Sequence, residues 1–360
     1  MTQAYVLMTA LPPTYGHMDL IKFAGNLFSV DKVAVFLNTQ PEEPMVHERY
    51  MALWNATEDL NHLEWKPGKY RVEWQNETTQ QEPDGDDDAF WDNWVGNLRR
   101  YGFQEGDFIV ASEQYGVELA KRAGGRFMVY DPDRWSRYTK GTSARTAPFS
   151  ERGWEQIIPQ FRRELQKKIT IFGAESTGKT TLTKALSDSY WDIGIPTTKL
   201  FEWARPYLEM TGPEVTVEAM HRIHEGQRAL QWGAYENLLA PLVLQDTDLY
   251  TTIGFWEDWD PESVPASIYF DAAMTKSDLY IITPSNIPFE HDILRYGGDE
   301  RQTNDQYWID LCEKYKLPYV VLTENSLADR IGEAMDHISP LLVNPIKYKR
   351  IGAEYEAQES

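Results

Sequence analysis

Short apolar runs alternate with amphipathic stretches along the chain, and the alternation occurs twice over. Tyr5-Val6-Leu7-Met8 reads as a buried strand, and Leu20, Ile21, Phe23, Ala24, Leu27 and Phe28 follow at helical spacing. Lys32-Val33-Ala34-Val35-Phe36-Leu37 is the next strand, completing a strand–helix–strand unit that implies a parallel sheet. Phe108-Ile109-Val110 and Phe127-Met128-Val129-Tyr130 are further strands, with a helical pattern over 117–123 between them and another over 91–101 before them. A second set opens at Lys168-Ile169-Thr170-Ile171-Phe172 and includes Leu242-Val243-Leu244, Leu279-Tyr280-Ile281-Ile282 and Tyr319-Val320-Val321-Leu322. The pattern predicts an α/β protein of two successive parallel-sheet domains. The first spans 1–150, a linker 151–167, the second 168–345, and a frayed tail 346–360.

Composition narrows the function. The 360 residues are more than one ordinary α/β core needs. Thirty-five basic against 56 acidic side chains give a net charge of −21, which repels phosphate backbones and argues against nucleic acid as a large-area partner. The one cysteine, Cys312, cannot form an intrachain disulfide and is expected to be a small buried apolar residue. No run of about 18 apolar residues exists, and the N-terminus lacks the pattern of a signal peptide. The expectation is a soluble, cytoplasmic protein that does not enter a membrane; whether it forms a homo-oligomer stays open. Asp84, Asp86, Asp87, Asp88 and Asp92 are expected in a solvated loop feeding the 91–101 helix, because their spacing does not follow a calcium-loop pattern.

Two strand-to-helix turns carry candidate chemistry. Gly173-Ala174-Glu175-Ser176-Thr177-Gly178-Lys179-Thr180 fits G-x-x-x-x-G-K-[ST] at every fixed position, directly after a strand and before a helix. Its glycines let backbone N–H groups wrap a phosphate, Lys179 adds a point charge, and Thr180, followed by Thr181, offers a hydroxyl to Mg²⁺. Such loops serve kinases, ATPases and GTPases alike, and the lack of a guanine-reading Asn-Lys-x-Asp disfavours a GTPase. Asp246 and Asp248 end a parallel strand where α/β sheets place ligands. Asp246 is the candidate metal-side or acceptor-orienting carboxylate, and Asp248 a candidate for the acceptor pocket. Glu202 and Arg205 follow the strand-like Thr198-Lys199-Leu200-Phe201 and are candidates for the acceptor pocket, while Arg295 and Arg301 flank Gly297-Gly298 as candidate phosphate-closing arginines. In the first half, Pro12-Pro13-Thr14-Tyr15-Gly16-His17 forms the second such turn. Gly16 permits close approach to a ligand, and His17 sits in the first helical turn. Thr142 and Arg145 lie about 125 residues further on. His221 and His224, three apart, read as ordinary helix residues.

These elements resemble a known family. Thr14-Tyr15-Gly16-His17 is similar to the [HT]-x-G-H motif of the nucleotidyltransferases, and Gly141-Thr142-Ser143-Ala144-Arg145 to their second motif. Together with the phosphate loop, Glu202-Trp203-Ala204-Arg205, Asp246-Thr247-Asp248 and Arg295 to Arg301, they resemble the NadR-type bifunctional nicotinamide-nucleotide adenylyltransferase and ribosylnicotinamide kinase, over about residues 4–340. Thr14 stands where that family usually has a histidine, Met8 where a glycine is usual, and Thr139-Lys140 where the second motif opens with Ile-Ser.

The resemblance implies a Rossmann-like nucleotidyltransferase sheet followed by a P-loop kinase sheet. The second domain would phosphorylate nicotinamide riboside to nicotinamide mononucleotide (NMN), and the first would join NMN to AMP from ATP, giving NAD and pyrophosphate. His17 and Arg145 would stabilise the transferring phosphates, with Thr14 a substitute hydrogen-bond donor and Pro13, Gly16 and Thr142 around them. Lys179, Thr180 and Asp246 would act in the kinase with Gly173, Glu175, Ser176, Thr177 and Gly178. Trp91 and Trp94 are candidates to stack on the nicotinamide ring. Two alternatives stand beside this: an active kinase whose first domain is a nucleotide or NAD sensor, and an ATP-driven assembly factor.

Overall fold

The structure, a computed structural model, describes residues 1–78, 88–133, 141–288 and 303–348. The chain divides into two compact units: residues 1–148, 152–164 and the segment from Asn344 onward form the first, and residues 149–151 and 165–343 the second. The first unit contains β1 (Thr2–Met8), α1 (Tyr15–Gly25), β2 (Val30–Thr39), α2 (Val46–Leu63), β3 (Tyr70–Asn76), α3 (Asp88–Arg100), β4 (Phe108–Ala111), α4 (Tyr115–Ala123), β5 (Arg126–Val129), α5 (Gly141–Thr146), α6 (Glu151–Gln156) and α7 (Pro159–Leu165). All pairs in its sheet are parallel, in the order β3-β2-β1-β4-β5. The order reverses beside β1, so the crevice at the C-terminal ends of β1 and β4 is where a doubly wound sheet receives a ligand.

β1 and β2 are near-continuous apolar runs because helices cover both faces. Tyr5, Leu7, Phe36 and Ile109 on one face pack against Phe90, Trp91, Val95 and Leu98 of α3 and Leu119 of α4. α2 and β3 carry weaker signals. In α2 the buried Ala52, Leu53, Ala56 and Leu60 are interleaved with charges, and β3 is a half-buried edge strand, Arg71 to Gln75, rich in polar residues. Asp88 and Asp92 fall in α3; Asp84, Asp86 and Asp87 lie outside the described residues.

The second unit contains β6 (Lys167–Phe172), α8 (Lys179–Asp192), β7 (Thr197–Leu200), α9 (Ala204–Thr211), α10 (Val217–Asn237), β8 (Leu242–Asp246), α11 (Leu249–Trp259), α12 (Ala266–Met274), β9 (Leu279–Ile282), α13 (Asp305–Tyr315), β10 (Tyr319–Val321) and α14 (Leu327–Ile338). Its sheet, β10-β9-β6-β8-β7, is again wholly parallel. Ile169 and Ile171 pack against Leu182 and Leu186 of α8 and Ala334 and Ile338 of α14. On the opposite face Phe172, Tyr280 and Ile282 meet Ile253 and Trp256 of α11 and Trp308 of α13. Cys312 is buried in that second cluster, as a small apolar residue should be.

The segment 151–167, read as a linker, is mostly helical. Trp154, Ile157, Ile158 and Phe161 are all 1 % exposed or less, so their apolar area pins the segment to the first unit. The start of the expected tail is ordered too: Ile346 is fully buried, and Asn344 Nδ2 donates to the carbonyls of Arg145 (2.7 Å) and Thr146 (3.1 Å). Among the described residues no helix is long and apolar enough to cross a membrane.

Candidate active site

The phosphate loop of the second unit is shaped by one obligatory glycine and one buried hydroxyl. Gly173 has φ +131°, and a Cβ there would sit 2.9 Å from the carbonyl oxygen of Thr283, so no side chain fits. Thr177 is fully buried; its hydroxyl donates to Ala174 O (2.9 Å) and lies 2.7 Å from Thr283 Oγ1. The ammonium of Lys179 folds over the loop, donating to Gly173 O (3.0 Å) and Ala174 O (2.6 Å). Glu175 accepts from Thr303 (3.2 Å).

Behind the loop stands a residue the motif reading passed over. Arg330 of α14 is 4 % exposed, donating to Thr177 O (2.9 Å), Glu324 O (2.9 Å), Pro284 O (3.4 Å) and Asn286 Oδ1. Burial pushes its pKa down. The sequence does hold a signal for it. Arg330, Ala334 and Ile338 recur at four-residue spacing on the buried stripe of α14, and a charge on such a stripe needs partners.

Asp246 ends β8 and is 4 % exposed, and its Oδ2 accepts the Thr180 hydroxyl proton. Burial raises its pKa, opposed by the Thr180 hydrogen bond and the charges of Lys179 and Arg205. Its other oxygen, Oδ1, is buried with no partner among the described residues. A hydroxyl and an orphaned carboxylate oxygen, both hard donors, fit Mg²⁺, which takes one or two protein oxygens and completes its shell with phosphates and water. Asp248 departs from its expected role in the acceptor pocket. It caps the N-terminus of α11 by accepting from Thr251 N (3.1 Å), and it takes the Tyr280 hydroxyl (2.8 Å). It is 1 % exposed, and burial raises its pKa to about 6. The helix that begins there claims the carboxylate.

The loop opens on a cavity of about 440 Å³. Residues 175–181 line one end with Glu202 and Arg205, and Leu208, Val215, Met220, Ile223, Phe255 and Trp259 supply an apolar wall. Glu202 and Arg205 owe their place to Trp203. Its indole lies where a Cβ on Gly226 would come within 1.9 Å of Nε1, and its backbone N–H donates to Gln227 Oε1 (2.8 Å). Arg295 and Arg301 lie outside the described residues.

In the first unit, Thr14 is the N-cap of α1 and His17 its third residue. His17 Nδ1 accepts the Thr14 backbone N–H (3.0 Å) and lies 2.8 Å from Thr14 Oγ1. With Nδ1 an acceptor, the hydroxyl must donate to it, and the neutral imidazole carries its proton on Nε2. The Thr14 hydroxyl, which the resemblance makes a substitute hydrogen-bond donor, is directed at His17 and orients its ring. Gly16 is exposed, and an added Cβ would meet nothing nearer than Thr14 Oγ1 at 3.7 Å, so the fold itself does not require glycine there. The turn is held from two sides. Ile158 N donates to Pro13 O (3.2 Å) beside a bridge between Thr14 and Ile157. Arg49, fully buried, donates to Ala10 O (3.1 Å) and Thr9 O and pairs with buried Glu43 (2.8 Å).

Thr142 and Arg145 stand on α5, a separate element of the same unit. Trp91 and Trp94 do not offer free faces. Trp91 is 8 % exposed with its ring 4.9 Å from Phe90, and Trp94 packs edge-on to Phe36. Their side of α3 is the core side. His224 pairs with Asp271 (2.9 Å) and His221 meets the Trp256 ring, as ordinary helix residues do. Among the described residues no group of three or more His, Cys, Asp or Glu is placed to hold a metal.

The chain is thus a two-unit parallel α/β protein with a phosphate loop and a ligand-sized cavity in its second unit. A family model described as an AAA domain matches residues 168–330. The trifunctional NAD biosynthesis/regulator protein NadR of Escherichia coli (strain K12) is 24% identical over 266 residues, covering 70% of this chain and 62% of that protein. Its counterpart from Salmonella typhimurium is 23% identical over the same shares. The chain therefore spans less than two thirds of the curated relatives it matches. A crystal structure of NadR protein in complex with NR has a TM-score of 0.56 at 20% identity, and one in complex with NAD and AMP-PNP has 0.55 at 21%; each covers 98% of both chains. The chain is thus similar to NadR proteins in sequence over 70% of its length, and in fold over 98% of it.

Proposed function

We propose that the chain is a two-site enzyme of NAD salvage. The second unit transfers the γ-phosphoryl of ATP to the 5′-hydroxyl of nicotinamide riboside, and the first adenylylates the NMN formed, releasing pyrophosphate and NAD. The observation that carries the kinase half is the continuity of the phosphate loop with an apolar-walled cavity of about 440 Å³, room for a nucleoside against the transferring phosphate. The relatives named for NAD biosynthesis, and the NadR structures with NR and with NAD and AMP-PNP, support the same substrates.

Phosphoryl transfer needs alignment and positive charge rather than a covalent intermediate. The loop's N–H groups and the α8 N-terminus hold the phosphates, and Lys179 leaves its carbonyl partners to meet the β- and γ-oxygens. Mg²⁺ would be held by the Thr180 hydroxyl and Asp246 Oδ1, and it supplies charge that neutralises the phosphate oxygens. Glu202 and Arg205 orient the acceptor, and Phe255 and Trp259 take its flat base. In the first unit the His17 Nε2–H donates to a phosphate oxygen of ATP, joined by Arg145 and Thr142, and exposed Gly16 lets the nucleotide approach the backbone. A cytoplasmic location goes with this reading.

One observation favours the sensor alternative for the first unit: the residue in place of the usual first histidine spends its hydroxyl on His17. The test is product analysis of the purified protein with ATP and Mg²⁺. The expected results are ADP with nicotinamide riboside, and pyrophosphate and NAD with NMN. ADP formation without NAD synthesis, alongside calorimetric dinucleotide binding, would leave the sensor. ATP hydrolysis without any nucleoside would favour the assembly factor and overturn the proposal.

A further inference from the structure

Gln227 stands on α10 and is 1 % exposed. Its side chain has two ends with different tasks. Trp203 N–H is a donor, so the atom that meets it at 2.8 Å must be the amide oxygen, and this fixes the orientation of the amide. The other end, Nε2, is buried with no hydrogen-bond partner among the described residues, although the residue lines the cavity. A buried amide N–H left unmade is costly, so a donor kept on a cavity wall is matched by something that enters the cavity.

The position of this donor says what it meets. Met220, Ile223 and Gln227 fall at i, i+3 and i+7 on one stripe of α10, and all three line the cavity along with Phe255 and Trp259 of α11. This is the apolar wall, suited to a flat base, whereas the charged groups of the loop, Glu202 and Arg205 suit phosphates and sugar hydroxyls. An amide N–H only donates, so its partner there must be an acceptor carried by the base.

Resting on the reading of the second unit as a riboside kinase, we propose that Gln227 determines specificity by donating Nε2–H to an exocyclic carbonyl oxygen on the pyridine base of the acceptor. The same side chain, through Oε1, holds the turn that presents Glu202 and Arg205. Base recognition and placement of the polar acceptor-site residues are therefore joined in one amide.

The experiment compares kcat and KM for nicotinamide riboside and for the pyridine riboside lacking the carboxamide, in the wild type and in Gln227→Met. The wild type is expected to favour the carboxamide riboside by about 10- to 100-fold in kcat/KM, mostly through KM. Gln227→Met is expected to level that preference. A purely structural role would slow both ribosides alike and leave their ratio unchanged, which overturns the inference, as does a wild type indifferent to the carboxamide. In both of those cases the kinase reading stands. Absence of phosphoryl transfer to either riboside by the wild type overturns that reading and the inference with it. Should Gln227→Met fail to fold, Gln227→Glu answers the same question, since it keeps an oxygen for Trp203 N–H and removes the amide donor.

Discussion

The two units place a candidate ligand turn at the same point, directly after the first strand of a parallel sheet, and hold it by different means. In the second unit the turn is glycine-shaped, with Gly173 excluding any side chain and Thr177 buried beneath it. In the first it is built from side chains: Thr14 caps α1 and locks the His17 tautomer, and the backbone of Ile158 braces Pro13 from behind. Both rely on a buried arginine from a distant helix, Arg330 in one case and Arg49 in the other. The arginines differ in one respect. Arg49 pairs with buried Glu43, while Arg330 donates to carbonyl oxygens and the Asn286 amide.

That comparison can be broken first at the buried arginines. Arg49→Met breaks the buried ion pair with Glu43 and is expected to cost about 3–5 kcal/mol in chemical denaturation. Arg330→Met leaves only neutral acceptors unpaired and is expected to cost about 1–3 kcal/mol. Equal losses would show that the two arginines do the same job. Next come the charge-bearing groups. Lys179→Ala is expected to slow ADP formation about 10²- to 10³-fold and leave NAD synthesis from NMN untouched, and His17→Ala should do the reverse. Loss of both reactions in either variant would mean that the turns are not separate sites.

The smallest effect concerns Asp248. Its folded-state pKa of about 6 lies above the ordinary 3.8, so between those values the folded protein binds more protons than the unfolded chain. Its contribution to stability therefore falls as pH rises through that window. Asp248→Asn keeps the cap, loses the titration, and should gain stability relative to the wild type between pH 4 and 7. A variant-to-wild-type difference that is flat with pH would place the carboxylate's proton elsewhere.

What could be read from the sequence was what is local in it. Residues 173–180 carry their geometry in consecutive positions, and the strands with unbroken apolar runs reveal themselves within five or six residues. The remainder depends on distance along the chain. Gln227 is set by Trp203, Arg330 by Thr177, and Arg49 by Ala10, pairings that no window spans. Asp248 looked like a ligand because it shares a strand end with Asp246, and only the start of α11 claims it as a cap. Trp91 and Trp94 looked available because an aromatic residue on an amphipathic helix does not declare which face is covered. α2 and β3 were hidden by charges among their buried positions.

Ile346 gives the first unit an unexpected outline. Its buried side chain, with the Asn344 amide tied to the carbonyls at the end of α5, means that this unit is closed by residues from far downstream, and residues 165–343 form an excursion between two of its parts. A dissection that stops at the end of α7 would open a hole in that unit's interior and strip two amide contacts. Any excised version has to carry residues 344–348 on a short bridge, so the two halves of this polypeptide cannot be parted by a single cut.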